Sequence, residues 1–205
     1  MFYEIGKGTP DPFSTLNAIV VPRPIGWIST LSADGVPNLA PYSFFNAVAY
    51  SPPQVMFSAT SNHREGGLKD AVLDAQTTGE FVVNVATWEL RKRMNASAVP
   101  APREVDEFEY AGLTKADSRL VKCPRVAESP IHLECRYTRS VEMLTNNVDD
   151  PNTVVFGEVV GVHIDERVLV DGRIDFLKLR PVGRLGYQDF VEVDSVFTME
   201  RPTWG

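Results

Sequence analysis

The segment from Ser58 to Ala71 carries the side chains best suited to holding an anion. Its two cations, Arg64 and Lys69, flank a pair of glycines, and glycine lets a backbone approach a ligand closely. Hydroxyls at a strand end, amides at a helix start and two cations together suit a phosphate group. Periodicity alone favours a simpler alternative, a capped loop with solvated cations. The candidate ligands are Ser58, Thr60, Ser61, Asn62, His63, Arg64 and Lys69.

A second group of polar and aromatic residues lies on a predicted hairpin. Polar side chains beside aromatic ones can receive a flat heteroaromatic ring that has hydrogen-bonding edges. Composition alone favours the alternative that the two phenylalanines are core residues and the serines ordinary strand residues. The residues are Ser29, Thr30, Ser43, Phe44, Phe45 and Asn46.

The sequence contains no complete residue set for nucleophilic or metal chemistry. His63, His132 and His163 are far apart, and the last two lie within strand patterns. Strand alternation places Glu134 and Cys135, which follow His132, on opposite faces. No Cys-x-x-Cys pair, no G-x-S-x-G elbow and no G-x-G-x-x-G fingerprint occurs. We therefore expect no metal site and no Rossmann unit.

Composition indicates a globular chain without a general attraction for polyanions. The sequence has 205 residues, 43% of them hydrophobic, and 20 Lys+Arg against 27 Asp+Glu, which gives a net charge of -7. The negative electrostatic field of such a chain excludes general binding to nucleic acid or anionic lipid. No stretch approaches the roughly 20 apolar residues of a membrane span, and the first residues do not resemble a signal peptide. We expect a cytoplasmic protein.

The elements that must position the two groups are strands, then a helix. Strands are predicted over Ile25–Ala33, Asn38–Val48 and Gln54–Thr60, and Asp34-Gly35 is a hairpin signal between the first two. Pro41 indicates an edge, a bulge or a break in the second strand. Helical spacing follows over Gly67–Thr78.

The remaining sequence adds further strands and few helices. A strand is predicted over Glu80–Ala86 and a second helix over Thr87–Ala98; residues 99–124 are interpreted as a surface excursion with a short helix. Two long strands are predicted over Ile131–Glu142 and Thr153–Asp165. Asp171-Gly172 is a turn signal, and residues 181–205 are predicted to form an extended tail. These patterns indicate one mainly β (α+β) domain over residues 1–205, closed or nearly closed as a barrel.

Taken in order, these motifs resemble the flavin reductase-like family of FMN-binding split barrels. The resemblance covers most of the chain, with residues 99–124 least diagnostic. The matching strings are RPIGWISTLSADGVPNLAPYSFFNAV from Arg23, PPQVMFSAT from Pro52, KDA from Lys69, TGEFVVNVAT from Thr78 and PVGRLG from Pro181.

The resemblance implies a six-stranded antiparallel split β-barrel with flanking helices, and FMN at the edge of a homodimer interface. It implies that Trp27, Ser29 and Thr30 line the cofactor. The flavin ring is expected to face Ser43, Phe44, Phe45 and Asn46, and the ribityl and phosphate end is expected to lie near Ser58, Ser61, Arg64, Lys69, Asp70 and Ala71.

Two positions depart from the family pattern. Ala71 stands where relatives often have a threonine, which removes one hydrogen bond to the phosphate or shifts it to Ser61 or a backbone amide. Tyr187 stands where many relatives have a second glycine. It either covers the ring or packs at a dimer contact.

The implied activity is hydride transfer from NAD(P)H to bound flavin and on to an acceptor, with no catalytic side chain required. The alternative is an FMN-binding carrier module without steady nicotinamide turnover. A third interpretation is a split barrel that holds haem or oxidises a phosphorylated vitamin.

Overall fold

The computed structural model describes residues 2, 4, 5, 7, 11–147 and 149–204, so the prediction that the first residues are not a signal peptide lies largely outside the described residues. The helices are α1 (Pro12–Ile19), α2 (Asp70–Thr78), α3 (Arg91–Ala96), α4 (Glu107–Tyr110) and α5 (Phe176–Leu179). The strands are β1 (Arg23–Pro24), β2 (Gly26–Leu31), β3 (Pro37–Tyr42), β4 (Phe45–Tyr50), β5 (Pro53–Thr60), β6 (Glu80–Val85), β7 (Lys115–Ala116), β8 (Arg125–Val126), β9 (Ile131–Glu142), β10 (Asn152–Ile164), β11 (Leu169–Val170), β12 (Arg173–Ile174), β13 (Val182–Arg184) and β14 (Phe190–Glu192).

The main sheet is antiparallel and has the order β3-β2-β6-β9-β10-β5-β4. Its two end strands, β3 and β4, are consecutive in the chain and are separated only by Ser43 and Phe44. The sheet therefore has to curl until its ends meet. The predicted strand Asn38–Val48 is broken in two at this point, and counting its halves as one strand gives the predicted six. The mainly β split-barrel class is confirmed.

The barrel interior is apolar and is covered by α2. Phe57 and Phe81 are fully buried there and their rings meet edge to face at 5.4 Å. From α2, Ala71, Val72 and Ala75 pack into the same cluster. Burying a side chain of the size of Val72 contributes about 1.5–3 kcal/mol. This packing fixes the start of α2, and hence Lys69, relative to β5.

Both predicted helices start later than expected. Gly66 and Gly67 have φ of 88° and 74°, so α2 begins only at Asp70. Its predicted end is confirmed, because Gly79 is left-handed and its N–H donates to the carbonyl of Ala75 at 3.1 Å. The second helix begins at Arg91 rather than Thr87, because the Thr87 backbone pairs with Pro181 as an isolated bridge.

The hairpin signals are confirmed. Gly35 has a φ of 84° in the loop between β2 and β3. Asp171 and Gly172, at φ of 50° and 75°, form the two-residue turn between β11 and β12. Positive φ at both central residues is what such a turn requires.

Two segments are more ordered than the sequence indicated. Residues 99–124 do contain a short helix, but Phe108, Val121 and Cys123 are buried, so the segment covers the outer face of the barrel. The predicted extended tail starts with β13 and β14, which form a small sheet with β1 in the order β1-β13-β14. Within the described part of the tail, the five residues between β13 and β14 and the residues after Glu192 form neither strands nor helices. None of the described helices has the length and apolarity needed to cross a membrane.

Candidate functional site

Two adjoining cavities form one groove along the outside of β3. The first, the strand-break cavity, has a volume of about 340 Å³ and lies at Ser43 and Phe44. The second, the loop cavity, has a volume of about 180 Å³ and lies at the turn that leads into α2. Pro41, Tyr42 and Ala98 line both, so the groove is continuous.

The strand-break cavity exists because the chain leaves one strand and enters another there. Ser43 and Phe44 belong to neither β3 nor β4. The Phe44 carbonyl accepts a hydrogen bond from the Ser58 amide at 2.8 Å. This bond holds the break against β5, whose Ser58 and Thr60 also line the cavity. Hydroxyls and an aromatic ring are thus fixed around one opening.

Two arginines make the strand-break cavity positive. Arg23 and Arg184 face each other across β1 and β13 as register partners, and no Asp or Glu lines the cavity. Burial first, and the charge of Arg184 second, lower the pKa of the Arg23 guanidinium. The Arg23 guanidinium donates hydrogen bonds to the carbonyls of Asn17 at 2.6 Å, Val20 at 2.7 Å and Leu185 at 3.0 Å. These bonds connect α1 and the residues after it to the small sheet.

The loop cavity presents the two predicted cations. Lys69 occupies the position just before α2, and the guanidinium of Arg64 donates to the Pro100 carbonyl at 3.0 Å. Arg103 braces the turn from behind: it pairs with Asp70 and donates to the carbonyls of Gly66 at 2.9 Å and Leu68 at 3.0 Å. The turn is therefore held rigid with Arg64 and Lys69 at the groove.

A buried carboxylate also lines the loop cavity. Glu107 accepts hydrogen bonds from the Leu39 amide at 3.0 Å and the Asn38 side chain at 3.1 Å. Burial is the main cause that raises the pKa of Glu107, to about 7. This carboxyl binds α4 to β3, and near neutral pH it carries less negative charge than an exposed one.

Six of the residues that the resemblance assigns to the cofactor meet at the groove, together with Thr60 and His63 from the predicted anion ligands. Ser43, Phe44 and Ser58 line the strand-break cavity, whereas Arg64, Lys69 and Asp70 line the loop cavity. Ser58 was expected near the ribityl and phosphate end of the ligand, but it lies in the strand-break cavity, away from Arg64 and Lys69. The Asp70 carboxylate is engaged by Arg103 and lies 3.4 Å from His63, so it serves the turn rather than a ligand.

Trp27, Ser29 and Thr30 do not reach the groove. All three are fully buried, because the barrel core covers one face of β2 and the segment around α3 and α4 covers the other. Trp27 donates to Ser97 at 2.9 Å, Ser29 to the Pro124 carbonyl at 2.6 Å and Thr30 to Asp74 at 2.7 Å. Their polar groups are satisfied inside the protein, so we remove these three from the candidate site.

Four further predicted residues also point elsewhere. Phe45 packs on the barrel core, and Ala71 is fully buried in it. Asn46 is exposed, and its side-chain oxygen accepts from the Ala47 amide at 2.9 Å. Ser61 is exposed at a φ of 63° and lines neither cavity.

Several groove residues were not predicted from the sequence. Arg23, Asn17 and Arg184 line the strand-break cavity, and Asn38 and Glu107 line the loop cavity. Two of these residues could have been found from the sequence, because Arg23 and Arg184 are charged residues within otherwise uncharged segments. Tyr187 also lines the strand-break cavity and is 71% exposed, so its side chain remains available to a ligand or a partner.

Two of the histidines, His132 and His163, make contacts within the fold. No group of three or more side chains that could hold a metal ion occurs in the part of the chain that the structure describes. His132 contacts the Val126 carbonyl at 2.8 Å, and His163 contacts buried Glu134 at 2.5 Å. Glu134 also accepts from the amides of Arg119 and Leu120. These contacts anchor the 119–126 segment to the sheet.

The fold and groove define a split β-barrel that can hold an elongated ligand with an anionic end. The chain belongs to the flavin reductase-like family, since the Flavin reductase like domain matches residues 18–179. An uncharacterized protein of Aquifex aeolicus is 41% identical over 175 residues, which cover 85% of this chain and 86% of that protein.

Solved structures agree with this assignment. Nitrilotriacetate monooxygenase component B from Bacillus cereus is 28% identical, has a TM-score of 0.89 and is matched over 97% of this chain and 98% of its own. The 2-nitrobenzoate 2-nitroreductase of Pseudomonas fluorescens is 24% identical, with a TM-score of 0.84 over 99% and 98% of the two chains. The latter likeness supports the fold alone.

Proposed function

We propose that the chain binds FMN along the groove and transfers hydride from NAD(P)H to it, passing the electrons on to an acceptor. The observation that carries the proposal is the continuity of the groove: a cavity with an aromatic and hydroxyl lining runs into a second cavity with Arg64 and Lys69. This order matches a molecule with a flat ring at one end and a phosphate at the other. Membership of the flavin reductase-like family supports the same assignment.

The residues present fit FMN. Among the described residues, two buried side-chain oxygens of groove residues, Asn17 Oδ1 and Asn38 Oδ1, have no hydrogen-bond partner. A buried acceptor without a partner costs about 1–3 kcal/mol, so a ligand that donates to it is favoured. The ring N–H and the ribityl hydroxyls of FMN are such donors.

A bound flavin would supply the redox chemistry, with NAD(P)H as the hydride donor. The chain's own residues orient the ring and set the electrostatic field around it. Arg23 and Arg184 place positive charge at the strand-break cavity, which favours a ring that gains electron density. Arg64 and Lys69 hold the phosphate, and Arg103 keeps their turn in place.

We also propose that the protein works as a homodimer. The described part of the tail after Glu192 forms neither strands nor helices and exposes large apolar side chains: Val196 at 58%, Phe197 at 85%, Met199 at 80% and Trp204 at 101%. Large exposed apolar side chains concentrated in one segment are typical of an association surface. Sedimentation equilibrium of the full chain tests this, and a monomer at micromolar concentration contradicts it.

Anaerobic absorbance spectroscopy tests the function. The FMN-loaded protein is expected to lose its flavin band when NADH or NADPH is added and to regain it in air. A flavin band that neither nicotinamide bleaches contradicts the oxidoreductase proposal. Steady nicotinamide oxidation in air, measured in parallel, separates an enzyme from a carrier that is reduced only once.

A further inference from the structure

A third cavity, the side cavity, opens beside the strand-break cavity. Its volume is about 380 Å³, and it shares Met94, Asn95, Arg184 and Phe190 with the strand-break cavity. Arg91 and Lys92 add two further cations, and no Asp or Glu lines it. In a chain of net charge -7, this concentration of cations is a local feature.

The two arginines of the side cavity are held in place by aromatic rings. The guanidinium of Arg91 lies 3.6 Å from the ring centre of Trp88 and donates to the Trp88 carbonyl at 2.5 Å. That of Arg184 lies 4.5 Å from the ring centre of Phe190 and donates to the Tyr187 carbonyl. A guanidinium that is already positioned loses little conformational freedom when it binds an anion.

These cations also lack acidic partners. Arg91, Lys92 and Arg184 form no ion pair with any carboxylate of the described residues, whereas nearby Arg180 pairs with Glu89 at 2.8 Å and Glu192 at 2.5 Å. A structural role as ion-pair partners therefore accounts for Arg180 but not for the three cations of the side cavity.

We propose that the side cavity binds the pyrophosphate of the nicotinamide dinucleotide that reduces the flavin. This inference rests on the proposed function. Two positioned guanidinium groups and an ammonium match a group with two negatively charged phosphates. Because Arg184 and Phe190 belong to both cavities, a dinucleotide anchored in the side cavity has its nicotinamide within reach of the strand-break cavity.

The test is calorimetric titration of the FMN-loaded protein with ADP-ribose, which carries the pyrophosphate but no nicotinamide. Arg91→Gln is expected to raise the Kd roughly tenfold, as loss of a hydrogen bond to a charged group does. Lys92→Gln, at an exposed position, is expected to raise it about two- to fivefold and serves if Arg91→Gln does not fold. The matched control is Arg93→Gln on the same helix, because Arg93 lies outside the cavity and pairs with Glu128 at 3.3 Å.

The outcomes separate this inference from the proposed function. Unchanged FMN affinity, with ADP-ribose weakened by Arg91→Gln and Lys92→Gln but not by Arg93→Gln, supports it. Equal effects of all three variants, or none, overturn the inference while leaving the flavin site intact. A second equivalent of FMN held by Arg91 and Lys92, with no binding of ADP-ribose, also overturns it. A wild-type protein that binds no FMN refutes the proposed function itself.

Discussion

Replacing Lys69 by glutamine is expected to weaken FMN binding and to leave riboflavin binding nearly unchanged. Lys69 lines the loop cavity immediately before α2 and forms no ion pair with a described residue. Its ammonium is therefore available to a phosphate. Riboflavin has the same ring and ribityl chain as FMN but no phosphate, so it isolates this one contact.

The size of the effect follows from the setting of Lys69. A hydrogen bond to a charged group contributes about 1.5–3 kcal/mol, and 1.4 kcal/mol corresponds to a factor of ten in Kd. Lys69 is only partly buried and Arg64 remains in the variant, so the lower end of that range applies. We expect the Kd for FMN to rise about tenfold.

Quenching of flavin fluorescence measures both affinities with the same protein samples. Lys178→Gln is the matched control, because it removes the same charge from an exposed position on α5 that lies outside the groove. The reasoning is refuted if Lys69→Gln weakens FMN and riboflavin equally, or if Lys178→Gln weakens FMN as much as Lys69→Gln does.

Three further predictions concern the turn that presents Arg64 and Lys69 and the packing of the barrel. Arg103→Met is expected to raise the FMN Kd about tenfold, because it leaves the Asp70 carboxylate unpaired near the phosphate. FMN titration of the double variant with Asp70→Asn should show partial recovery of affinity, and no recovery would contradict this role of Arg103. Gly157→Ala would place a Cβ 2.4 Å from the Phe81 ring and should cost about 1–3 kcal/mol in urea unfolding, whereas wild-type stability would show that the ring can yield. Burial raises the pKa of Asp74 from 3.8 to about 6. Because the unfolded chain then loses this proton first, wild type should lose about 3 kcal/mol of stability relative to Asp74→Asn as pH rises through that interval, and parallel pH profiles would contradict this.

Features determined by nearby residues were predictable from the sequence. The turns at Gly35 and at Asp171-Gly172, and the end of α2 at Gly79, depend on residues that tolerate positive φ. The start of α3 was not predictable in the same way. It depends on the bridge between Thr87 and Pro181, which are far apart in the chain.

The site was predictable only in part. Arg64 and Lys69 were predictable because they lie in one continuous segment, the turn between β5 and α2, so no distant part of the chain is needed to bring them together. Strand alternation could not show that both faces of β2 are covered, and this burial removes Trp27, Ser29 and Thr30 from the groove.

Arg23 and Arg184 are groove residues that the sequence did not predict. Arg23 and Arg184 become neighbours only through the pairing of β1 with β13, which contain two and three residues. Strands this short have no periodicity to detect. Asp70 was likewise assigned to the ligand because Arg103, its partner, lies outside the motif.

A crystal structure of the protein with FMN tests the central claim most directly. We predict density for one FMN per chain in the groove, with the ring beside Phe44 and the phosphate between Arg64 and Lys69. FMN bound outside the groove, or with its phosphate at Arg23 and Arg184, would contradict the account.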